Sequence, residues 1–266
     1  MRNLLVLLTL AIWIPALSAQ DYFTVIKVSG NIVIERTGSS LGTGTSFSQD
    51  ENLLFKIPDS RAAVYNTQKG RFIITSQNVA EFKSLKSNYL PSAGKISTRA
   101  VGISSRRDDF KKQFEGDYVI LDLAKIKVDA DVFPLTDKKY FYLTYDYNNK
   151  IINKKLAFVK DTLLIKKDEL LTVDGVIIPD PRISEMKLVY LEEGEEYGSE
   201  IICSFKPVFP DIQQLKKEIN VIIDQMEMNH YEEKVDEIST FIKEFYGRID
   251  ESNLKRWLGD NLNLKP

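Results

Sequence analysis

Between Asp21 and about Leu85, short apolar runs alternate with turn-forming residues. Tyr22 to Val28, Ile32 to Ile34, Leu53 to Ile57, Ala62 to Tyr65 and Phe72 to Thr75 are separated by Gly, Asn, Asp and Ser. Runs of that length and spacing predict an all-β unit with tight turns, with Lys69-Gly70 at a hairpin corner where glycine supplies a positive φ. From 86 to 116 the large apolar residues thin out through Pro91-Ser92-Ala93-Gly94 and Ser104-Ser105-Arg106-Arg107, the pattern of a basic inter-domain linker. Phe110 and Phe114, four apart, put a short helix at its end. A second, more aromatic β unit is predicted over 117–210. Its runs include Tyr118 to Leu121, Tyr140 to Tyr145, Lys155 to Val159, Thr162 to Ile165, Leu170 to Val173, Met186 to Tyr190 and Ile201 to Phe205. Asp174-Gly175 is its best corner, since that pair supplies the left-handed conformers of a type I′ turn. Strands of this number and length suggest a β-sandwich of immunoglobulin-like size.

The period changes after Pro210. Asp211 is placed as a helix N-cap, with Gln214 three residues on as its capping-box partner. Ile212, Leu215, Ile219, Ile222, Ile223 and Met226 form an apolar stripe at helical spacing, with Lys216, Lys217, Glu218 and Asp224 expected outside it. A second helix is predicted from about Tyr231 to Tyr246, with Val235, Ile238, Phe241, Ile242 and Phe245 inward and Gly247 as its stop. A short third helix carries Leu254, Trp257 and Leu258. These helices are expected to dock on the chain itself rather than on a partner.

At the other end, Met1-Arg2-Asn3 precedes the apolar run Leu4 to Leu17, which gives way to Ser18-Ala19. A basic start, an apolar stretch and small residues form the layout of a secretory signal peptide, over 1–19. The run is shorter than the roughly 20 residues a spanning helix needs, so cleavage is expected and no integral membrane span remains. That places the mature chain in the periplasm or in the medium.

An apolar fraction of 43% suits packed cores, and a net charge of −2 removes any whole-chain argument for binding nucleic acid. The chain has a single cysteine, Cys203, so no intramolecular disulfide can form, and its strand-like setting reads as a small buried hydrophobe.

The N-terminal β unit resembles the extracytoplasmic FecR-type domain of bacterial iron-dicitrate signalling regulators. The resemblance is carried by Val28-Ser29-Gly30, the Leu41-Gly42-Thr43-Gly44 turn, Asp59-Ser60-Arg61-Ala62-Ala63-Val64 and Gly70-Arg71-Phe72-Ile73-Ile74. The remainder, including Lys95-Ile96-Ser97-Thr98-Arg99, is similar to exported proteins of the Bacteroidetes type. Regulators of that family also carry a transmembrane helix and a cytoplasmic segment that meets a sigma factor, patterns not found here. What the resemblance implies is a small β module used for protein contacts in the envelope, an inference from fold alone.

Candidate chemistry is sparse. The single histidine, His230, stands between two helices, where capping or solvent exposure is the favoured role. One His and one Cys do not make a zinc site of those ligands, and nothing in the sequence brings them together. Asp129, Asp131, Asp174, Asp180 and Asp211 read as turn and cap residues, although a carboxylate pair for hydrolysis stays open. Gly42-Thr43-Gly44-Thr45 lacks the lysine of a phosphate loop, and Glu192-Glu193-Gly194-Glu195-Glu196 reads as an exposed hairpin tip. Neither a metal nor a cofactor is expected. Tyr140, Tyr142, Tyr145 and Tyr147 are the candidate ligand-binding residues, because alternating aromatics leave one set free to stack on a glycan or a partner.

The expected fold is therefore mainly β with an α-helical tail: a FecR-like β domain over 20–85, a linker over 86–116, an immunoglobulin-like sandwich over 117–210 and helices over 211–266. The expected function is a non-enzymatic adaptor or accessory subunit of a cell-envelope assembly, with an envelope protein as partner. A glycan-binding module using exposed tyrosines is the alternative, and a carboxylate-dependent hydrolase comes third.

Overall fold

Residues 21–85, 106–178, 182–193 and 198–266 are described by a computed structural model of the chain. It divides into two units, Met1–Leu90 and Pro91–Pro266. The signal-peptide reading over 1–19, most of the linker, Asp180 and the centre of the acidic tract lie outside the described residues.

In the first unit β1 (Tyr22–Ser29), β3 (Ser46–Ser48), β5 (Arg61–Asn66) and β6 (Gly70–Thr75) form an antiparallel sheet in the order β3-β1-β5-β6. The short β2 (Ile32–Ile34) and β4 (Leu53–Phe55) make a separate ribbon, and helix α1 (Val79–Lys83) follows β6. A register shift between Val25 and Lys27 inserts Ile26 as an extra residue, which lets Val25 and Ile26 both be buried. Phe23 sits at the centre of the core, its ring 4.7 Å from that of Phe82 on α1. Two of the glycine and serine motifs meet in space. Gly30 has φ +88, and a Cβ there would fall 2.3 Å from Ser60 Oγ, the atom that accepts the Asn31 N–H and donates to the Ile57 carbonyl.

Among the described residues the second unit opens with helix α2 (Arg106–Lys112), the short helix expected at the end of the linker. Phe110 and Phe114 are buried, with rings 5.8 Å from Phe141 and 5.2 Å from Phe205. An i,i+4 aromatic pair buries too much apolar area to stay in a solvated linker. Next come β7 (Asp117–Val119), β8 (Leu123–Lys127), β9 (Lys139–Tyr147), β10 (Lys150–Lys155), β11 (Ala157–Val159) and β12 (Thr162–Lys166). Helix α3 (Lys167–Leu171), the hairpin β13 (Thr172–Val173) and β14 (Val176–Ile177), then β15 (Met186–Glu192) and β16 (Gly198–Val208) complete the β part. One sheet runs β10-β9-β15-β16-β7, parallel only at β16·β7, and a second runs β11-β12-β8. Phe141, Leu143 and Leu188 of the first sheet and Ala124, Ile126 and Leu163 of the second share one core.

The expected strand at Leu170 to Val173 is in fact the last turn of α3 followed by β13. Leu170 and Leu171 are both buried, which neighbours on an alternating strand are not when one face is solvated. The Asp174-Gly175 corner has φ of 51° and 80°, as a type I′ turn requires.

The C-terminal helices α4 (Ile212–Gln225), α5 (Tyr231–Phe245) and α6 (Glu251–Leu262) belong to the same unit. Asp211 caps α4, accepting from the Gln213 and Gln214 N–H groups. Glu218 is buried, contrary to its expected place outside the stripe. Its carboxylate accepts from the Gln214 amide at 2.9 Å and from the Tyr246 hydroxyl at 2.6 Å. Burial, followed by the Glu218 hydrogen bond, pushes the Tyr246 hydroxyl pKa up.

After α5 the chain straps two sheet edges. Arg248 donates its N–H to the Asp117 carbonyl at 2.7 Å and accepts from Val119 N–H at 2.8 Å, closing β7. Asn253 on α6 accepts from Lys125 N–H at 2.8 Å and donates to the Lys125 carbonyl at 2.9 Å, closing β8 as a strand would. Arg256 donates to the Leu123 carbonyl, and Trp257 Nε1–H to Asp122. Asn253→Ala is therefore expected to lower stability by about 1–2 kcal/mol in urea unfolding, because a part-buried main-chain donor and acceptor both lose their partner. Among the described residues no helix is long and apolar enough to cross a membrane.

Candidate functional site

Period-two alternation along β9 points Phe141, Leu143 and Tyr145 into the core and leaves Tyr140, Tyr142, Thr144 and Asp146 on the outer face. The four candidate tyrosines consequently separate. Tyr145 is 3% exposed, and its hydroxyl donates to the Leu170 carbonyl at 2.6 Å. Burial, with a smaller contribution from Tyr147, pushes its pKa up to about 12. Tyr145 is a core residue with no face to offer a ligand, and Tyr147 packs half-buried at the core margin. Tyr140 donates to Glu193 at 3.2 Å, and its ring carries the Lys155 ammonium 3.7 Å from the centroid. Tyr142 stands between Lys155 on β10 and Val189 on β15 in the cross-strand register.

Beside these tyrosines runs β10, at the end of its sheet. Asn148 and Asn149, with φ of 50° and 61°, form a two-residue turn that makes Tyr147 and Lys150 a hydrogen-bonded pair. Leu156 N–H donates to the Phe141 carbonyl at 2.9 Å, three two-residue steps on and in phase with that pair. In an antiparallel ladder the intervening residues turn their main-chain groups away from the partner strand. The N–H and C=O groups of Ile151, Asn153 and Lys155 thus face outward, and they meet no main-chain partner among the described residues.

The strand itself carries apolar and basic side chains and no acidic one. Ile151 is 72% exposed, and the neighbouring hairpin carries Val176 at 69% and Ile177 at 55%. The hairpin is held beside β10 by Lys154, whose ammonium donates to the Thr172 carbonyl, and by Lys150, 3.8 Å from Asp174. Residues 150–160 include Lys150, Lys154, Lys155 and Lys160 and no Asp or Glu. This edge was not singled out from sequence. Lys150-Ile151-Ile152-Asn153-Lys154-Lys155 has no clean alternation, and the only local signal was the Asn148-Asn149 turn.

The other candidates fall into structural roles. Cys203 is half-buried opposite Leu188, and burial pushes its thiol pKa up to about 12. Iodoacetamide at pH 8 is accordingly expected to label it at least about 100-fold more slowly in the folded chain than in urea, because the thiolate is the reactive form. His230 is exposed at the N-cap of α5 and makes no side-chain capping bond. Asp129 accepts from Asp131 N–H in a turn, and Gly42 to Thr45 closes on itself through the Thr45 N–H and hydroxyl. An open depression of about 490 Å³ beside Phe110 is lined by Lys127 and Asp161, which pair with each other at 3.4 Å. Among the described residues no group of three His, Cys, Asp or Glu side chains converges to hold a metal ion. No protein-family model matches this chain, and no curated protein or solved structure shows significant similarity to it.

Proposed function

We propose that this protein is an exported, non-enzymatic interaction module, an adaptor or accessory subunit of a cell-envelope assembly. It would combine a small FecR-like β unit with an immunoglobulin-like sandwich that carries its own C-terminal helices. The observation that carries this reading is that the second unit leaves large branched side chains exposed, Ile151 on β10 and Val176 and Ile177 on the hairpin that Lys150 and Lys154 reach. Large apolar side chains exposed beside charged ones are a feature of protein contact surfaces. Export is inferred from the Met1 to Ala19 pattern alone, which places the partner in the periplasm or outside the cell.

The test is in-cell photocrosslinking of the full-length chain in its own host, with the crosslinking amino acid at Ile151, Val176 or, as a distant control, exposed Lys243 on α5. A single dominant envelope protein captured from Ile151 and Val176 but not from Lys243 is the expected result. Absence of any site-dependent product would overturn the reading.

A glycan-binding role is the second reading, favoured by the outer-face position of Tyr140 and Tyr142. It expects Tyr142→Ala to abolish retention on immobilised polysaccharide while leaving the photocrosslinks intact.

A further inference from the structure

The two β sheets of the second unit have four edges, and the chain treats them unequally. The β7 edge is strapped by Arg248 and the β8 edge by Asn253, each with paired main-chain bonds. The β10 and β11 edges lie on the consecutive stretch Lys150 to Val159, and β10 is the longer of the two. Open edges are liabilities that proteins cover or guard. Among the described residues the chain covers two edges and leaves β10 with three outward N–H and C=O pairs, at Ile151, Asn153 and Lys155.

We infer that β10 receives an added strand from the partner, an extended acidic segment with interspersed apolar residues that pairs with the outward main-chain groups of Ile151, Asn153 and Lys155. This rests on the interaction-module reading and specifies its site and mode. Main-chain pairing along the edge supplies affinity, and the side chains beside it supply selectivity. Lys150, Lys154 and Lys155 lie on the strand itself and set the charge the added segment must carry, in a chain whose net charge is −2. Ile151, exposed on the outer face of β10, gives apolar side chains of that segment somewhere to pack. Lysines alone would describe an edge guarded against pairing, but guarding does not call for an exposed isoleucine on the strand itself. The same lysines disfavour a second copy of the chain, since pairing β10 with β10 would set like charges against each other.

The probe is a short fluorescein-labelled peptide of alternating Glu and Val, compared with its Lys and Val counterpart, titrated by anisotropy against the full chain at low salt. The acidic peptide is expected to bind at least about tenfold more tightly than the basic one and to weaken as salt is added. Asn153→Pro removes one outward N–H and no hydrogen bond to β9, so it leaves the fold standing and lowers binding by about tenfold or more. In the unaltered protein, hydrogen exchange at Ile151, Asn153 and Lys155 slows when the peptide saturates the edge. That measurement decides the matter even if the proline variant is unstable. Equal binding of both peptides, or acidic binding with no slowing at those three amides, overturns the inference. A concentration-dependent dimer abolished by Asn153→Pro would assign the edge to a second copy and overturn it as well. Photocrosslinks from Ile151 that survive Asn153→Pro would sink strand addition while leaving the interaction module intact. Loss of crosslinks at every position in the unaltered chain would sink the module itself.

Discussion

Lys69→Met is expected to cost the first unit about 3 kcal/mol, one of the two largest effects of a single substitution in this chain. The lysine is 1% exposed, and its three ammonium donors have three acceptors: Asp21 Oδ2 and Gln49 Oε1, each at 2.6 Å, and the Leu85 carbonyl at 3.0 Å. Taking an ammonium out of water costs several kcal/mol, which only such complete coordination offsets. Methionine keeps most of the stem's packing but leaves a carboxylate, an amide oxygen and a carbonyl without their donor. The damage spreads because Gln49 itself donates to the Phe82 carbonyl at 2.7 Å and to that of Leu85 at 3.1 Å. One buried cation therefore ties together the start of β1, the turn after β3 and the segment after α1. Urea unfolding followed by hydrogen exchange over residues 21–85 reads the effect. Adding Asp21→Asn to Lys69→Met should recover part of the loss, since the orphaned charge is then gone. A single-variant loss below about 1 kcal/mol would show that the ammonium is hydrated in solution.

Gly247→Ala is the second large effect, expected at about 3 kcal/mol on the second unit. Gly247 has φ +125, outside the range of residues with a side chain, and an added Cβ would lie 2.4 Å from the Asp117 carbonyl oxygen. That oxygen is main chain and accepts the Arg248 N–H, so it cannot move aside without opening the strap on β7. Gly175→Ala makes the comparison. Gly175 also has a positive φ, +80, but nothing lies within 4 Å of its added Cβ, so a loss of only about 1 kcal/mol is expected. Thermal unfolding of both variants, with hydrogen exchange at Val119 and Arg248, separates backbone strain from the lost strap. Equal losses would mean that the close approach to Asp117 carries no cost.

The candidate edge was less legible in the sequence than the elements around it. Tyr140, Tyr142, Tyr145 and Tyr147 stand together as candidates in the sequence, although period two puts Tyr145 on the opposite face from Tyr140 and Tyr142. Which face was solvated depended on where the second sheet lay. β10 stayed hidden because an edge strand with one neighbour need not alternate, and its lysines resemble those of a loop. Glu218 was assigned to the solvent side on polarity, but Tyr246, 28 residues later, supplies the donor that lets it be buried.

By itself, the sequence determined what depends on local backbone chemistry. That includes the Asp211 cap, the helical stripes of Leu215 to Ile222 and Val235 to Ile242, the Asp174-Gly175 corner and the β character of both units. Each rests on φ/ψ preferences or side-chain period within a few residues. Only the tertiary structure decided that Phe110 and Phe114 belong to a core, that Lys69 is a buried hub, that Arg248 and Asn253 seal β7 and β8, and that β10 has no outer main-chain partner among the described residues. These are pairings across tens of residues or more, as between Asn253 and Lys125. They are set by which surfaces bury each other, a quantity no local pattern contains.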